Sequence, residues 1–102
     1  MRLSLQILYP ATAGTTFNLH YCCDTHLPMV PGQFGPLMDS ILVTHGGPAP
    51  DGTPASLHAI VTLIFADKDA LMAALEKAGP LLAGIPNFTD CAPQMVFGHV
   101  VT

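Results

Sequence analysis

The sequence predicts an α+β protein with the element order β-α-β-β-α-β, the ferredoxin-like sandwich of one antiparallel sheet with both helices on one face. Three observations predict it. Apolar residues alternate in two segments, as in half-buried strands, and two further segments are rich in apolar and β-branched residues. In two others the apolar residues recur at three- and four-residue steps, as in helices. Stretches rich in Gly and Pro separate these segments. The chain has 102 residues, the size of one domain, so we expect residues 1–102 to fold as a single unit.

The first half of the chain predicts one strand and one interrupted helix. Residues 2–9 alternate between apolar and more polar side chains, which is typical of a strand with one buried face. Thr16 or Asn18 can cap a helix that runs to about Gly35. Pro28 lies inside this helix and removes an amide donor, so we expect a kink or break near residues 27–32. The apolar stripe of this helix comprises Leu19, Cys22, Cys23, His26, Leu27, Val30, Phe34 and Leu37.

The second half predicts three strands and a second helix. Residues 39–45 and 57–66 are rich in β-branched and apolar side chains and are expected to form the second and third strands. Both faces of the third strand are largely apolar, so alternation does not show which face meets the helices. Asp67 is expected to cap a helix that runs through Ala78. The last strand is predicted at residues 93–101.

Composition excludes several functional classes. Half of the residues are apolar, only 10% are charged, the net charge is −4, and Lys and Arg together number three. So few cations exclude a nucleic-acid binder that works through phosphate contacts. No apolar run is long enough to cross a membrane or to serve as an export signal. A surface so poor in charge, with one sheet face uncovered, predicts a homodimer.

The cysteines and the missing motifs indicate a cytoplasmic protein without a cofactor. Cys22, Cys23 and Cys91 are odd in number and two are adjacent, which is a poor disulfide framework and typical of reduced thiols. Neither CxxC nor HExxH spacing occurs, so no metal site is predicted. No glycine-rich phosphate loop opens a helix, so no nucleotide or flavin cofactor is predicted.

His26 is the most informative side chain in the sequence. It lies on the apolar stripe, where an imidazole either bonds a backbone carbonyl in the core or lines a cavity. Cys22 precedes it by four residues, so thiol and imidazole can meet on one helix face. That spacing fits a nucleophilic pair, although a buried cysteine is more often an inert apolar residue.

Three polar residues elsewhere are further candidates, and two of them, His58 and Asn87, have two interpretations each. His58 and Thr62 share one face of the third strand, where His58 lines a ligand site or is a polar residue near the strand start or a subunit contact. Asn87 lies in the turn-rich segment 85–90, where it lines a pocket mouth or bonds the local backbone.

Three blocks of the sequence resemble the EthD-like family, named for ethyl tert-butyl ether degradation. They are the segment 17–30 with its Tyr-x-x-x-x-His-x-Pro pattern, His58-Ala59-Ile60, and the Ile-Pro-Asn-Phe-Thr-Asp segment at 85–90. The resemblance implies a ferredoxin-like subunit that pairs into a dimeric α/β barrel. It also implies a catabolic protein, often labelled an oxidoreductase, with a small hydrophobic oxygenated or aromatic ligand held between helices and sheet. The family often has a tyrosine where Cys22 stands and a histidine where Thr62 stands.

The resemblance implies a cofactor-independent enzyme or oxidoreductase accessory in which His26 acts as the acid–base group and Tyr21 assists. The alternative is a non-catalytic protein of the same fold that binds or shuttles a small molecule. The expected ligand-binding residues are Cys22, Val30, Phe34, His58, Thr62 and Asn87.

Overall fold

The computed structural model describes residues 1–102 and has the predicted order β-α-β-β-α-β. The strands and helices, in chain order, are β1 (Leu3–Pro10), α1 (Leu19–Tyr21), a π-helical turn (Cys22–His26), α2 (Met29–Phe34), a 3-10 turn (Gly35–Leu37), β2 (Met38–His45), β3 (Leu57–Phe65), α3 (Lys68–Glu76), α4 (Gly79–Gly84), a second 3-10 turn (Ile85–Asn87) and β4 (Gln94–His99). The ferredoxin-like prediction is confirmed, and no strand end differs from its predicted position by more than about two residues.

The four strands form one antiparallel sheet in the order β2-β3-β1-β4. In the register, Ile7 lies opposite Val61 on one side and Met95 on the other. Directly opposed residues share a sheet face, so the odd-numbered residues of β1, β3 and β4 face the same way. The helices cover this face, whose most buried members are Leu5, Tyr9, Ala59, Val61, Leu63 and Phe65. The tertiary structure thus settles which face of β3 is internal.

The first helical segment is interrupted in the predicted region. Asn18 caps α1 because its Oδ1 accepts the Tyr21 amide at 3.0 Å. The amide of Leu27 donates to the Cys22 carbonyl, five residues back, at 2.8 Å, which defines a π turn. Pro28 then prevents the helix from continuing in register, and α2 starts at the next residue. The expected break is confirmed, and it is preceded by a change of helix type.

The second helical segment begins as predicted and ends earlier. Asp67 caps α3, since its Oδ1 accepts the Ala70 amide at 2.8 Å. The helix stops at Glu76, two residues before the predicted end, and α4 starts with Pro80 in its first turn, where a missing amide costs nothing. No helix of the structure combines the length and the apolar character needed to cross a bilayer.

Candidate functional site

The two longer blocks of the family resemblance touch each other in the structure. The Asn18 amide donates to the Phe88 carbonyl at 2.7 Å, and the Thr16 amide donates to Oδ1 of Asp90 at 2.7 Å. The Thr89 hydroxyl donates to the Thr16 carbonyl at 2.7 Å. These bonds join the loop before α1 to the segment before β4. They fix the start of the first helical segment, and with it the position of the side chains that follow.

Phe88 is the centre of an aromatic cluster that these bonds hold in place. Its ring, 3% exposed, lies 5.7 Å from Tyr9, 5.4 Å from Phe17, 6.4 Å from Tyr21 and 4.8 Å from His26, measured between ring centroids. Tyr21 and His26, the two residues expected to be catalytic, therefore contact the same ring. Sequence reasoning did not single out Phe88, although it is the aromatic position of the Ile-Pro-Asn-Phe-Thr-Asp block.

His26 is buried, and its imidazole makes no hydrogen bond with a protein group. Every fully buried side-chain nitrogen or oxygen in the structure has a hydrogen-bond partner. The ring nitrogens of His26 have none, so neither of them is fully buried. A Cβ atom at Gly84 would lie 3.0 Å from Nδ1, so the glycine leaves room for the ring. Burial lowers the pKa of His26 below its ordinary value of 6.5. The side chain is therefore a neutral base at pH 7, with no carbonyl partner to engage it.

The helix–sheet interface contains a small apolar cavity of about 80 Å³. It is lined by Leu5, Ile7, Phe34, Leu75, Ala78, Leu81, Leu82 and Met95. Of the residues expected to bind ligand, Phe34 lies in this wall. Cys22 and Val30 are buried on the same helical stripe but line no cavity. His26 borders none of the cavities either, and its packing against Phe88 and Gly84 counts against the expectation of an internal hollow at the imidazole.

Cys22 is a protonated thiol in this environment. It is fully buried, and burial, followed by the neighbouring Cys23, raises its pKa to about 11. A nucleophilic cysteine needs a thiolate, so the environment gives no support to the Cys22–His26 nucleophilic pair. Cys22, Cys23 and Cys91 are all free.

His58 lies at the start of β3, beside the loop that leads to α1. Its ring stacks on Phe17 at 5.7 Å and an angle of 16°, and its Nε2 is 3.0 Å from Oγ1 of Thr15. The Thr15 hydroxyl donates to the Thr12 carbonyl at 2.6 Å. A hydroxyl has only one proton, so Nε2 of His58 is the donor to Thr15. These bonds anchor the loop and leave His58 away from the helix–sheet cavity.

Thr62 and Asn87 also lie outside that cavity. Thr62 alternates with the buried Val61 and Leu63 and so faces the open side of the sheet, where the Gln6 amide group donates to its hydroxyl at 3.3 Å. Asn87 is exposed and borders an external cleft of about 560 Å³ between residues 16–20 and 86–90.

Nowhere do three or more His, Cys, Asp or Glu side chains converge as metal ligands would.

The fold is that of the ferredoxin-like dimeric α/β-barrel proteins. The crystal structure of an EthD-like protein from Ralstonia eutropha JMP134 is 30% identical, with a TM-score of 0.89 over 99% of this chain and 93% of that chain. The chain therefore belongs to the EthD-like family.

More distant structures share the fold. An ethyl tert-butyl ether degradation family protein from Bacillus halodurans C-125 is 14% identical, with a TM-score of 0.68 over 99% of this chain and all of the other. SnoaB, a cofactor-independent oxygenase from Streptomyces nogalater, is 10% identical, with a TM-score of 0.65 over 99% of this chain and 94% of its own. No protein-family model matches the sequence, and no curated protein matches it significantly.

Proposed function

We propose that this protein is a cofactor-independent enzyme that acts on a small hydrophobic oxygenated or aromatic molecule, with His26 as its acid–base group. The observation that carries the proposal is the neutral, buried imidazole without a protein partner. Its ring nitrogens bond no protein group and are not sealed off, so they remain open to a bound molecule. An imidazole without a protein partner can instead form its hydrogen bond to a ligand.

The chemistry follows from the state of the ring. A neutral imidazole accepts a proton from a phenol, or from a carbon next to a carbonyl. Tyr21 contacts the same Phe88 ring and would donate its hydroxyl proton to the substrate oxygen. The hydrocarbon part of the substrate would lie toward the apolar cavity. Helix α4 links His26 to that cavity, because Gly84 lies against the imidazole and Leu81 lines the cavity wall.

The likeness to SnoaB supports an oxygenase as one form of this activity. A substrate deprotonated at carbon can reduce dioxygen directly. In the balanced overall reaction a CH₂ group and O₂ become a C=O group and water. His26 would only remove the proton from the substrate carbon, which is the first step of this reaction.

The test is proton exchange, which reports on the base without requiring a particular product. 2-Butanone and 2-pentanone, whose alkyl ends are short enough for the cavity, exchange the hydrogens next to their carbonyl groups in D₂O, and NMR measures the rate. We expect the protein to accelerate exchange and His26→Ala to lose about 10²- to 10⁴-fold of that acceleration. His20→Ala is the matched control, since the His20 side chain is 96% exposed. No acceleration by the unmodified protein, or full activity in His26→Ala, would refute the role of His26.

The second candidate is a non-catalytic protein that binds or shuttles the same class of molecule. It is favoured by the purely apolar cavity wall and by the absence of His26 from that wall. Binding of a ketone to the cavity without any exchange, and unchanged by His26→Ala, would establish this alternative.

We further propose that the protein forms a homodimer through the open face of its sheet. Leu42 and Val96 lie on that face and are 64% and 46% exposed. The accessible surface of 6031 Å² exceeds the roughly 5500 Å² expected for this mass. We expect light scattering to give twice the chain mass of 10.7 kDa, and Leu42→Asp to shift the protein to the monomer. Met72→Asp, at a similarly exposed position on α3, should remain dimeric.

A further inference from the structure

Leu82 separates the apolar cavity from a larger external cleft. It borders both the cavity of about 80 Å³ and a neighbouring cleft of about 420 Å³, whose wall includes Thr89, Asp90 and Cys91. Leu82 is 45% exposed although it is a large aliphatic residue. It is carried by α4, a helix of six residues with no side-chain cap, bounded by Gly79 and Gly84. Leu82 is the one residue that the walls of the two spaces share.

We propose that Leu82 is the gate of a single two-part binding site for a neutral amphipathic molecule, with a short hydrocarbon end in the cavity and a hydroxyl head in the cleft. The proposal rests on the proposed function for the place of the hydrophobic part. The head lies in a cleft whose wall contains neither His26 nor Tyr21, so the proposal describes how a molecule is held and not the reaction at His26. The cavity has about half the volume of an engineered 150 Å³ cavity that binds benzene, which limits the end group to about three carbons. The cleft falls within the usual range of about 300–1,000 Å³ for small-molecule sites.

The polar side-chain atoms of the cleft that have no hydrogen-bond partner determine which head group can bind there. The Thr89 hydroxyl already donates to the Thr16 carbonyl and accepts the Cys91 amide at 3.2 Å. Oδ1 of Asp90 accepts the Thr16 amide, whereas its other oxygen has no protein partner. Among the side chains of the cleft, the free acceptor is therefore a carboxylate oxygen of Asp90.

The charge of the cleft also favours a neutral head group. The Lys and Arg residues of the chain number three, and none of them borders the cleft. An anionic head would therefore face the Asp90 carboxylate without a compensating cation. The cleft favours an alcohol or phenol over a carboxylate of the same length.

The experiment compares 1-pentanol with pentanoate as probes, by NMR titration of methyl-labelled protein. The methyl signals of Leu5, Ile7 and Leu75 report on the cavity, because these residues lie in its wall. We expect pentanol to shift these signals and pentanoate to bind at least tenfold more weakly. Asp90→Asn should reduce that preference about five- to tenfold.

The gate is tested with two substitutions of opposite effect. Leu82→Trp should weaken pentanol binding at least tenfold by filling the passage, and Leu82→Ala should leave it equal or tighter and accept longer alcohols. Met72→Trp, exposed on α3 and outside both walls, should bind as the unmodified protein does. Circular dichroism confirms that each variant is folded.

The outcomes separate the gate from the proposed function. Equal cavity shifts in Leu82→Trp and the unmodified protein, or equal affinity for pentanol and pentanoate, would overturn the gated site and leave the proposed function standing. Cavity signals that respond to no probe in any variant would overturn the gated site and the placement of the hydrocarbon part in the cavity. The role of His26 is decided separately, by the proton-exchange test.

Discussion

Replacing Phe88 by alanine is expected to lower the free energy of unfolding by about 3–5 kcal/mol, the usual cost of truncating a buried phenylalanine. The ring is 3% exposed and lies at the junction of β1, the first helical segment and the segment before β4. A cavity at this point would leave four neighbouring rings without a partner. The loss is a large part of the 5–15 kcal/mol that typically stabilises a small protein.

Phe88→Leu separates ring contacts from burial. Leucine retains most of the apolar area, so the remaining loss reports on the aromatic geometry. An aromatic pair contributes about 0.5–1.5 kcal/mol beyond its buried area, and four pairs that share one ring are not additive. We therefore expect Phe88→Leu to cost about 1–2 kcal/mol.

Urea unfolding followed by far-UV circular dichroism is the suitable assay, since the chain has no tryptophan. Protein concentration must be equal in all samples, because a dimer unfolds in a concentration-dependent way. Met72→Ala, at a residue that is 51% exposed, is the control and should change stability by less than about 0.5 kcal/mol. A loss below about 1 kcal/mol in Phe88→Ala would show that Phe88 is not the centre of the cluster.

Two further predictions concern titratable groups and one concerns a helix cap. In the folded protein only Cys23 should react rapidly with a thiol reagent, because Cys22 and Cys91 are buried; a second fast thiol would contradict the structure. Burial lowers the pKa of His26 below 6.5, so the unfolded chain binds more protons near that pH. Stability should be complete above about pH 6.5 and fall as the pH drops toward the folded-state pKa; His26→Gln should remove this part of the fall, and an unchanged pH dependence of urea unfolding would argue against it. Asp67→Ala should cost about 1 kcal/mol in the same urea assay, since it removes the cap of α3, and no loss would show that the cap is dispensable.

Local patterns in the sequence determined much of the fold. Alternation marks β1 and β4, apolar and β-branched content marks β2 and β3, and three- and four-residue steps mark the helices. Pro28 marks the break between the π turn and α2. Asp67 was identifiable as a cap, and Asn18 as one of two candidates with Thr16, because a cap bonds an amide only three residues away. These features depend on neighbours in the chain, so they can be predicted without knowledge of the packing.

The position of the candidate site was decided by the tertiary structure. Both faces of β3 are apolar, so only the covering helices reveal that Thr62 lies on the outside while Val61 is internal. The contact between His26 and Phe88 joins residues far apart in the chain, and it depends on how the segment before β4 docks against the loop before α1. Hydrophobic periodicity indicates which side of an element is buried, but the partner it meets is set by the packing of all the elements together.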